Sequence, residues 1–146
     1  MHSINLSRPY ILYVEDDADD VELLQHALAG TEFDFQLVHH TNAVDALEFL
    51  ERSKRFNRLP ELIFLDINMA RMDGRETLVC LKADKDIARI PLTILSTSTL
   101  DSDRNYFGRY HIPYIVKPGD VNQFKSELLE VMSGLLSFDT AEKKTA

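Results

Sequence analysis

The sequence predicts an α/β fold in which a doubly wound parallel sheet of five strands is covered by helices on both faces. Five short apolar, β-branched or aromatic runs recur along the chain, each bounded by polar or turn residues. The stretches between these runs carry apolar residues at helical spacing. Nearly all-apolar strands that alternate with amphipathic helices are typical of a parallel sheet, because right-handed crossovers place the helices on both faces.

The predicted strands lie at Tyr10–Val14, Phe33–Val38, Leu62–Leu65, Pro91–Leu95 and Tyr114–Val116. Helical spacing is clear in four of the intervening stretches, at Val21, Leu24 and Leu28, at Val44, Leu47 and Leu50, at Leu78 and Leu81, and at Val121, Phe124, Leu128, Leu129 and Met132. The periodicity is weakest over Asp101–His111, where the remaining helix is expected.

Length and composition predict a single domain. A chain of 146 residues with 45% hydrophobic content can bury one normal core. We expect an N-terminal extension over residues 1–9, a folded domain over residues 10–136 and a flexible C-terminal tail over residues 137–146. Apolar residues near the C-terminus, which form either a homodimer face or part of the chain's own core, are Val131, Met132, Leu135, Leu136 and Phe138.

Charge and cysteine content narrow the function classes. The 24 acidic and 16 basic residues give a net charge of −8, which disfavours binding to nucleic acid or to an anionic membrane and favours a cation or a basic protein face. The single cysteine excludes an intramolecular disulfide and is in keeping with a reducing cytoplasm. The N-terminus lacks a basic region followed by an apolar run, and no apolar stretch is long enough to span a bilayer, so we expect a cytoplasmic protein.

Carboxylates follow two of the predicted strands. Glu15 and Asp16 come after strand one, and Asp66 comes after strand three. Ligand sites of open α/β sheets lie beyond the carboxyl ends of the strands, so these side chains meet at one edge if the two strands are neighbours. Like charges at close range require raised pKa values or a neutralising cation. A ligand set of oxygens alone, with room for water and phosphate, favours Mg²⁺.

A structural alternative is that the first acidic run only caps the first helix; its members are Glu15, Asp16, Asp17, Asp19 and Asp20. We interpret Asp17 and Asp19 in this way. Asp66 has no such explanation, because it follows the apolar run Leu62–Leu65 and no helix begins immediately after it. Its carboxylate is therefore predicted to have a chemical role.

Complementary groups follow the other two strands of this edge. Strand four ends in a serine-threonine run that begins at Ser96, and strand five is followed by Lys117. A lysine beside an acidic pocket balances charge and binds a phosphoryl oxygen, and a hydroxyl donates a hydrogen bond to another oxygen. Each residue alone is weak evidence, but acids, acceptor, hydroxyl and lysine on four strand ends together indicate phosphoryl chemistry.

These residues resemble the receiver domains of two-component response regulators over Tyr10 to Leu136. The segments that carry the resemblance are Ile-Leu-Tyr-Val-Glu15-Asp16-Asp17, Leu-Ile-Phe-Leu-Asp66-Ile-Asn68-Met-Ala-Arg-Met-Asp73-Gly74, Pro91-Leu-Thr-Ile-Leu-Ser96-Thr97 and Tyr114-Ile-Val-Lys117-Pro118. The resemblance implies a flavodoxin-like strand order 2-1-3-4-5. The long loop before Pro60 and the Asp73-Gly74-Arg75-Glu76 segment look most like small stand-alone regulators associated with phytochrome-type histidine kinases.

The resemblance implies a role for each matching residue. Asp66 is the expected phosphoacceptor, receiving the group from a phosphohistidine of a histidine kinase or of a phosphotransfer protein. Mg²⁺ is expected to bind the side chains of Asp16 and Asp66, the backbone carbonyl of Asn68 and, through water, Glu15. Lys117 contacts the phosphoryl group.

Three further positions of the resemblance concern the switch and its output. Ser96 matches the hydroxyl that is expected to turn toward the phosphoryl group, and Tyr114 matches the aromatic that is expected to swing inward when that hydroxyl moves. The alternative for Tyr114 is a half-buried aromatic on an edge strand, which does not exclude the switch role. Pro118 matches a position that follows a cis peptide bond, which aims Lys117 into the site.

Three positions or segments depart from the family pattern. Ala70 stands where many family members have proline, so the loop after Asp66 is expected to be less rigid. Thr97 stands where the family often has alanine or glycine, and its bulk restricts the access of water to Asp66, so we predict slow autodephosphorylation. Arg109–Pro113 replaces a glycine-alanine turn, which predicts a differently shaped output face.

Two other function classes compete with a phosphorylated switch. A Mg²⁺-dependent phosphohydrolase would use Asp66 as its nucleophile, but it needs a general acid at the position of Asn68, whose amide does not transfer protons in that role. A non-phosphorylated protein-binding module would retain the fold without the chemistry, and it would not explain why Glu15, Ser96 and Lys117 accompany Asp66. We therefore expect an acceptor protein that assists only its own phosphorylation and dephosphorylation, and not an enzyme.

Overall fold

A computed structural model describes residues 8–145, with side chains described for residues 8–136. The strands are β1 (Tyr10–Val14), β2 (Gln36–His40), β3 (Leu62–Leu65), β4 (Leu92–Ser96) and β5 (Tyr114–Val116). The helices are α1 (Ala18–Ala29), α2 (Ala43–Arg55), α3 (Gly74–Lys82), α4 (Asp101–Gly108) and α5 (Val121–Thr145), and a 3₁₀ turn lies at Ile87–Arg89. The predicted N-terminal extension is largely outside the described residues.

The sheet is parallel, and its strand order is β2-β1-β3-β4-β5. The predicted doubly wound α/β fold and strand order are therefore confirmed. The order reverses at β1, so the carboxyl ends of β1 and β3 lie side by side, and this is where an open sheet of this kind binds its ligand.

Alternate residues of each central strand enter two separate cores. Leu12 belongs to the core beneath α2, α3 and α4, and its neighbour Tyr13 belongs to the core beneath α1 and α5. All five residues of β1 and all four of β3 are buried, as expected for strands covered on both faces. The ends of these two strands are consequently held rigidly.

The second and fourth strands lie further along the chain than predicted, and the apolar face of α2 differs in part. The fourth strand spans Leu92–Ser96 instead of Pro91–Leu95. The second strand begins at Gln36 instead of Phe33, because its register is set by β1: Tyr10 pairs with Gln36, and the Gln36 amide donates to the Pro9 carbonyl. In α2, the small residues Ala43 and Ala46 pack on the sheet with Phe49 and Leu50, while Val44 is exposed. The predicted apolar face of α2 was therefore only partly right.

The last helix continues past the predicted domain boundary. Its backbone is helical to Thr145, so the predicted tail over residues 137–146 does not begin where the helix ends. Met132 and Leu136 are buried in the core, and Val131 and Leu135 pack against it. These four side chains therefore pack on the chain's own core, which was one of the two predicted alternatives. The side chain of Phe138 is outside the described residues. None of the helices within residues 8–145 has the length and apolar character needed to cross a bilayer.

The loop after β3 is held by a close backbone approach at Gly74. The Gly74 amide donates to the Ile67 carbonyl over 3.1 Å. A Cβ atom at Gly74 would lie 2.7 Å from the Ile67 Cα, so only glycine fits without displacing that backbone. Asp73 caps α3 with a capping box to Glu76. Together these contacts fix the chain immediately after Asp66.

Candidate functional site

Three of the predicted site residues lie one position beyond a strand and continue its backbone ladder. The Glu15 amide donates to the His40 carbonyl over 3.0 Å, the Asp66 amide to the Val14 carbonyl over 3.1 Å, and the Lys117 amide to the Ser96 carbonyl over 2.8 Å. The sheet itself therefore sets where these side chains leave the backbone.

Lys117 lies at the centre of an acidic pocket that we define by Glu15, Asp16, Asp20, Asp66 and Lys117. Its Nζ lies 2.5 Å from Glu15 Oε1, 2.8 Å from Asp20 Oδ2 and 3.9 Å from Asp66 Oδ2. Only 6% of the Lys117 side chain and 1% of the Glu15 side chain are exposed. The ammonium is thus the buried counter-charge of this pocket.

Three carboxylates of the pocket are arranged as metal ligands could be. One ligand atom each from Glu15, Asp16 and Asp66 lies within 4.8 Å of the others. Glu15 Oε2 is buried and, among the described residues, has no hydrogen-bond partner. A buried orphan oxygen beside two further carboxylates fits a hard divalent cation with oxygen ligands. Asn68 is exposed at the edge of this group, and its backbone amide donates to Asp66 Oδ1 over 3.3 Å.

The electrostatics of the pocket follow from this crowding. Burial, with the neighbouring Asp66 and Asp20 carboxyls, raises the pKa of Glu15 to about 9, although Lys117 opposes the shift. Burial alone would lower the pKa of Lys117, but hydrogen bonds to Asp20 and Glu15 outweigh it and raise that pKa. The lysine therefore stays charged, and one carboxyl keeps a proton unless a cation replaces it.

Ser96 borders the pocket from β4 and is fully buried. Its Oγ accepts a hydrogen bond from the Ser98 amide over 3.1 Å and lies 3.5 Å from the Asn68 side-chain nitrogen. The Ser96 hydroxyl is therefore hydrogen-bonded within its own loop in this structure. Its predicted turn toward a phosphoryl group requires the hydrogen bond from the Ser98 amide to break.

Tyr114 lies on the far side of that loop. It is half-buried, and its hydroxyl donates to the Ser98 carbonyl over 2.8 Å. Ser98 Oγ in turn donates to Asp103 Oδ2 over 2.6 Å, and Asp103 pairs with Arg75 over 3.2 Å. The Arg75 guanidinium also lies 4.4 Å from the centre of the Tyr106 ring. These five residues, Arg75, Ser98, Asp103, Tyr106 and Tyr114, form what we call the α4 network.

One sequence expectation at the site is wrong. All peptide bonds among the described residues are trans, including the one between Lys117 and Pro118. Lys117 still reaches the pocket, because its amide hydrogen bond to the Ser96 carbonyl continues the β4–β5 ladder and directs the side chain over the strand ends.

Two members of the first acidic run, Asp17 and Asp20, have different roles. Asp17 caps α1, accepting from the Asp19 amide over 2.9 Å, as interpreted from the sequence. Asp20 was missed: within the acidic run it was assigned no role of its own, yet its carboxylate contacts Lys117. The nearest sequence signal was its position one helical turn after Asp16, which places both near the start of α1.

Residues 11–129 match the family model of the response regulator receiver domain. The chain belongs to this family. A receiver domain is the phosphoacceptor module of two-component signalling; it interacts with a histidine kinase, and receiver domains typically bind Mg²⁺. The carboxylate cluster of Glu15, Asp16 and Asp66 is consistent with such a site.

Relatives of similar length share most of this receiver domain. Response regulator Rcp1 of Synechocystis sp. is 31% identical over 131 residues, covering 88% of this chain and 86% of that protein. The probable methanogenesis regulatory protein FilR2 of Methanothrix harundinacea is 28% identical, covering 83% of this chain and 79% of that protein.

Solved structures agree with the fold. The phosphorylated cyanobacterial phytochrome response regulator RcpA matches with a TM-score of 0.77 and 30% identity, covering 90% of this chain and 96% of that one. The Mn²⁺-bound form of Rcp1 matches with a TM-score of 0.72 and 30% identity, covering 86% of this chain and 92% of that one. The chain is thus a single receiver domain similar to stand-alone phytochrome-associated regulators.

Proposed function

We propose that Asp66 is the phosphoacceptor of this receiver domain and that Asp16, Asp66 and the Asn68 carbonyl, with Glu15, hold Mg²⁺ during the transfer. The observation that carries the proposal is the position of Asp66. It is 5% exposed, it shares a ligand cluster with Glu15 and Asp16, and the Lys117 ammonium lies 3.9 Å away. The residues proposed as nucleophile, as cation ligands and as donor to the phosphoryl group therefore share one pocket.

The chain's own residues account for the steps of the transfer. The Asp66 carboxylate attacks the phosphorus of a phosphohistidine, forming an O–P bond as the P–N bond breaks. The bonding pair returns to the ring nitrogen, and the histidine, protonated at its other ring nitrogen, leaves as neutral imidazole. Lys117 neutralises one phosphoryl oxygen, and Ser96 Oγ donates to another once it releases the Ser98 amide. When bound, Mg²⁺ neutralises negative charge on the carboxylates and on the phosphoryl oxygens.

The output of the switch is proposed to run through the α4 network. Movement of Ser96 removes the acceptor of the Ser98 amide, and Ser98 is the residue to which Tyr114 and Asp103 are bonded. A change at the pocket therefore reaches α4 and β5 through one residue. The proposed result is a reshaped face that a partner protein reads.

The donor is proposed to be a histidine kinase of the phytochrome type, with a phosphotransfer protein as the alternative. Support comes from the similarity to Rcp1 and to the phytochrome response regulator RcpA. A cytoplasmic location and a homodimer remain predictions from the sequence.

A phosphohydrolase is the competing enzymatic proposal. Asn68 follows Asp66 by two residues, and its side-chain amide lies near the Ser96 hydroxyl instead of supplying a titratable acid. We therefore propose an acceptor whose only turnover is loss of its own phosphoryl group.

The test is intact-mass measurement after incubation with Mg²⁺ and acetyl phosphate. The wild-type chain is expected to gain a single labile phosphoryl group, and Asp66→Asn is expected to gain none. Asp34→Asn is the matched control, because that carboxylate is 94% exposed and lies outside the pocket. Sustained release of phosphate without an adduct would support the hydrolase. No adduct, even with a phytochrome-type kinase present, would support the binding module.

A further inference from the structure

Lys117 has a second carboxylate partner to which the proposed transfer gives no role. An ammonium has three N–H donors. Glu15 and Asp20 lie within hydrogen-bond distance of Nζ, at 2.5 and 2.8 Å, while Asp66 lies beyond it at 3.9 Å. The lysine is therefore held beside the acceptor without being hydrogen-bonded to it.

The position of Asp20 is set by the start of α1. The Asp17 side chain accepts from the Asp19 amide and caps the helix, which fixes the start of its first turn. A carboxylate in that turn is favourable because of the helix dipole, but the dipole does not explain a contact with a lysine 97 residues away. Asp20 is 27% exposed and its partner 6%, so the pair is partly desolvated and stronger than a surface pair.

We propose that Asp20 is a positioning residue that, with Glu15, holds the Lys117 ammonium at the distance suited to an oxygen of the incoming phosphoryl group. This inference rests on the proposed acceptor role of Asp66. Without Asp20, the ammonium would be free to move toward the Asp66 carboxylate and pair with it directly. The nucleophile and the donor would then neutralise each other before the phosphoryl group arrives.

A donor fixed in advance costs no reorganisation during the reaction, which is the usual advantage of a prearranged charge. The position held by Asp20 and Glu15 leaves one N–H of Lys117 for the phosphoryl group. Asp20 therefore contributes to the rate of transfer without touching the reacting atoms.

The test compares initial rates of phosphorylation by acetyl phosphate at saturating Mg²⁺. Asp20→Asn is expected to lower the rate about tenfold, the effect of about 1.4 kcal/mol in the barrier. Asp19→Asn is the matched control, since it removes the same charge from the same turn at an exposed position, and its rate is expected to stay unchanged. Asp20→Glu retains the carboxylate and is expected to recover most of the rate.

A crystal structure of metal-free Asp20→Asn supplies a readout that a purely structural role would not change. Lys117 Nζ is expected to move from 3.9 Å to about 3 Å from the Asp66 carboxylate. An unchanged distance, an Asp20→Asn rate equal to that of Asp19→Asn, or an Asp20→Glu rate as low as that of Asp20→Asn would each overturn the inference. If the wild-type chain gains no phosphoryl group, the proposed function fails instead, and the crystallographic distance still tests the positioning of Lys117.

Discussion

The acidic pocket and the α4 network lie on either side of Ser96 and are built differently. In the acidic pocket, Lys117 and Glu15 leave the backbone where strands end, and both side chains are almost fully buried. In the α4 network, Arg75 and Asp103 belong to helices, and 44% of the Arg75 side chain is exposed. The pocket is thus tied to the rigid sheet, whereas the network ties helices and loops to one another.

This difference has an energetic consequence. Breaking a buried ion pair by removing one partner costs about 3–5 kcal/mol, whereas an exposed pair contributes about 0–1 kcal/mol. The proposed phosphotransfer chemistry therefore lies where the geometry is hard to change. The proposed output lies where contacts are partly exposed and cost less to break.

The largest expected effect is that of Lys117→Gln. This substitution leaves the partly buried Asp20 carboxylate without its cation and the buried Glu15 Oε1 without its hydrogen-bond donor, so we expect the free energy of unfolding at pH 8 to fall by about 3 kcal/mol. Urea denaturation measures this, with the exposed Lys82→Gln as the control. A loss below about 1 kcal/mol would mean that the pocket is no more tightly held than a surface pair.

The pH dependence of the metal-free protein tests the same pocket. The pKa of Glu15 is raised from 4.5 to about 9, so its contribution to stability is fully present below pH 4.5 and is lost as the pH rises toward 9. We expect stability to fall across this range by at most about 1.4 kcal/mol per pH unit, the limit for one proton.

Urea denaturation from pH 5 to 9 gives this slope. The stability of the Glu15→Gln variant should depend less steeply on pH over the same range. Mg²⁺ should reduce the loss of stability in the wild-type chain, because the cation replaces the proton in the pocket. Equal slopes in the two proteins would show that Glu15 is not the titrating group.

Thr97 lies between the acidic pocket and the α4 network. Its substitution tests whether this position controls the lifetime of the phosphoryl group on Asp66. It follows Ser96 directly and is exposed. Thr97→Ala should admit water to phosphorylated Asp66 and shorten the lifetime several-fold, or about 1 kcal/mol in the barrier. The decay of the intact-mass adduct measures it, and the exposed Thr99→Ala serves as the control. Equal lifetimes for the Thr97→Ala, Thr99→Ala and wild-type proteins would remove Thr97 as the barrier.

The acidic pocket was predicted from the sequence better than the α4 network, for a physical reason. Buried strands have a local signature in short apolar runs, so β1, β3 and β5 were predicted with their observed bounds. The residues after such strands meet at one edge by topology alone. The edge strand β2 was shifted because its start depends on pairing with β1, which no local pattern records.

Contacts between distant side chains were not predictable in this way. Asp20 was left without a predicted role, because its contact with Lys117 depends on the angle at which α1 leaves the sheet. The same holds for Arg75 and Asp103, which lie 28 residues apart on two helices. Neither residue carries a local signal that distinguishes it from any solvated charge.

Arg75→Gln is expected to have the smallest effect on stability and a distinct effect on α4. The change removes the pair with Asp103 and the contact with the Tyr106 ring, both exposed in part, so the cost should be under about 1 kcal/mol. Amide hydrogen exchange should become faster in α4, while the rate of phosphorylation should stay as in the wild-type chain, because Arg75 contacts none of the acidic pocket residues through the bonds described. The exposed Arg89→Gln is the control. A slower phosphorylation, or unchanged exchange in α4, would mean that the two regions are not separated at Ser96 as their contacts indicate.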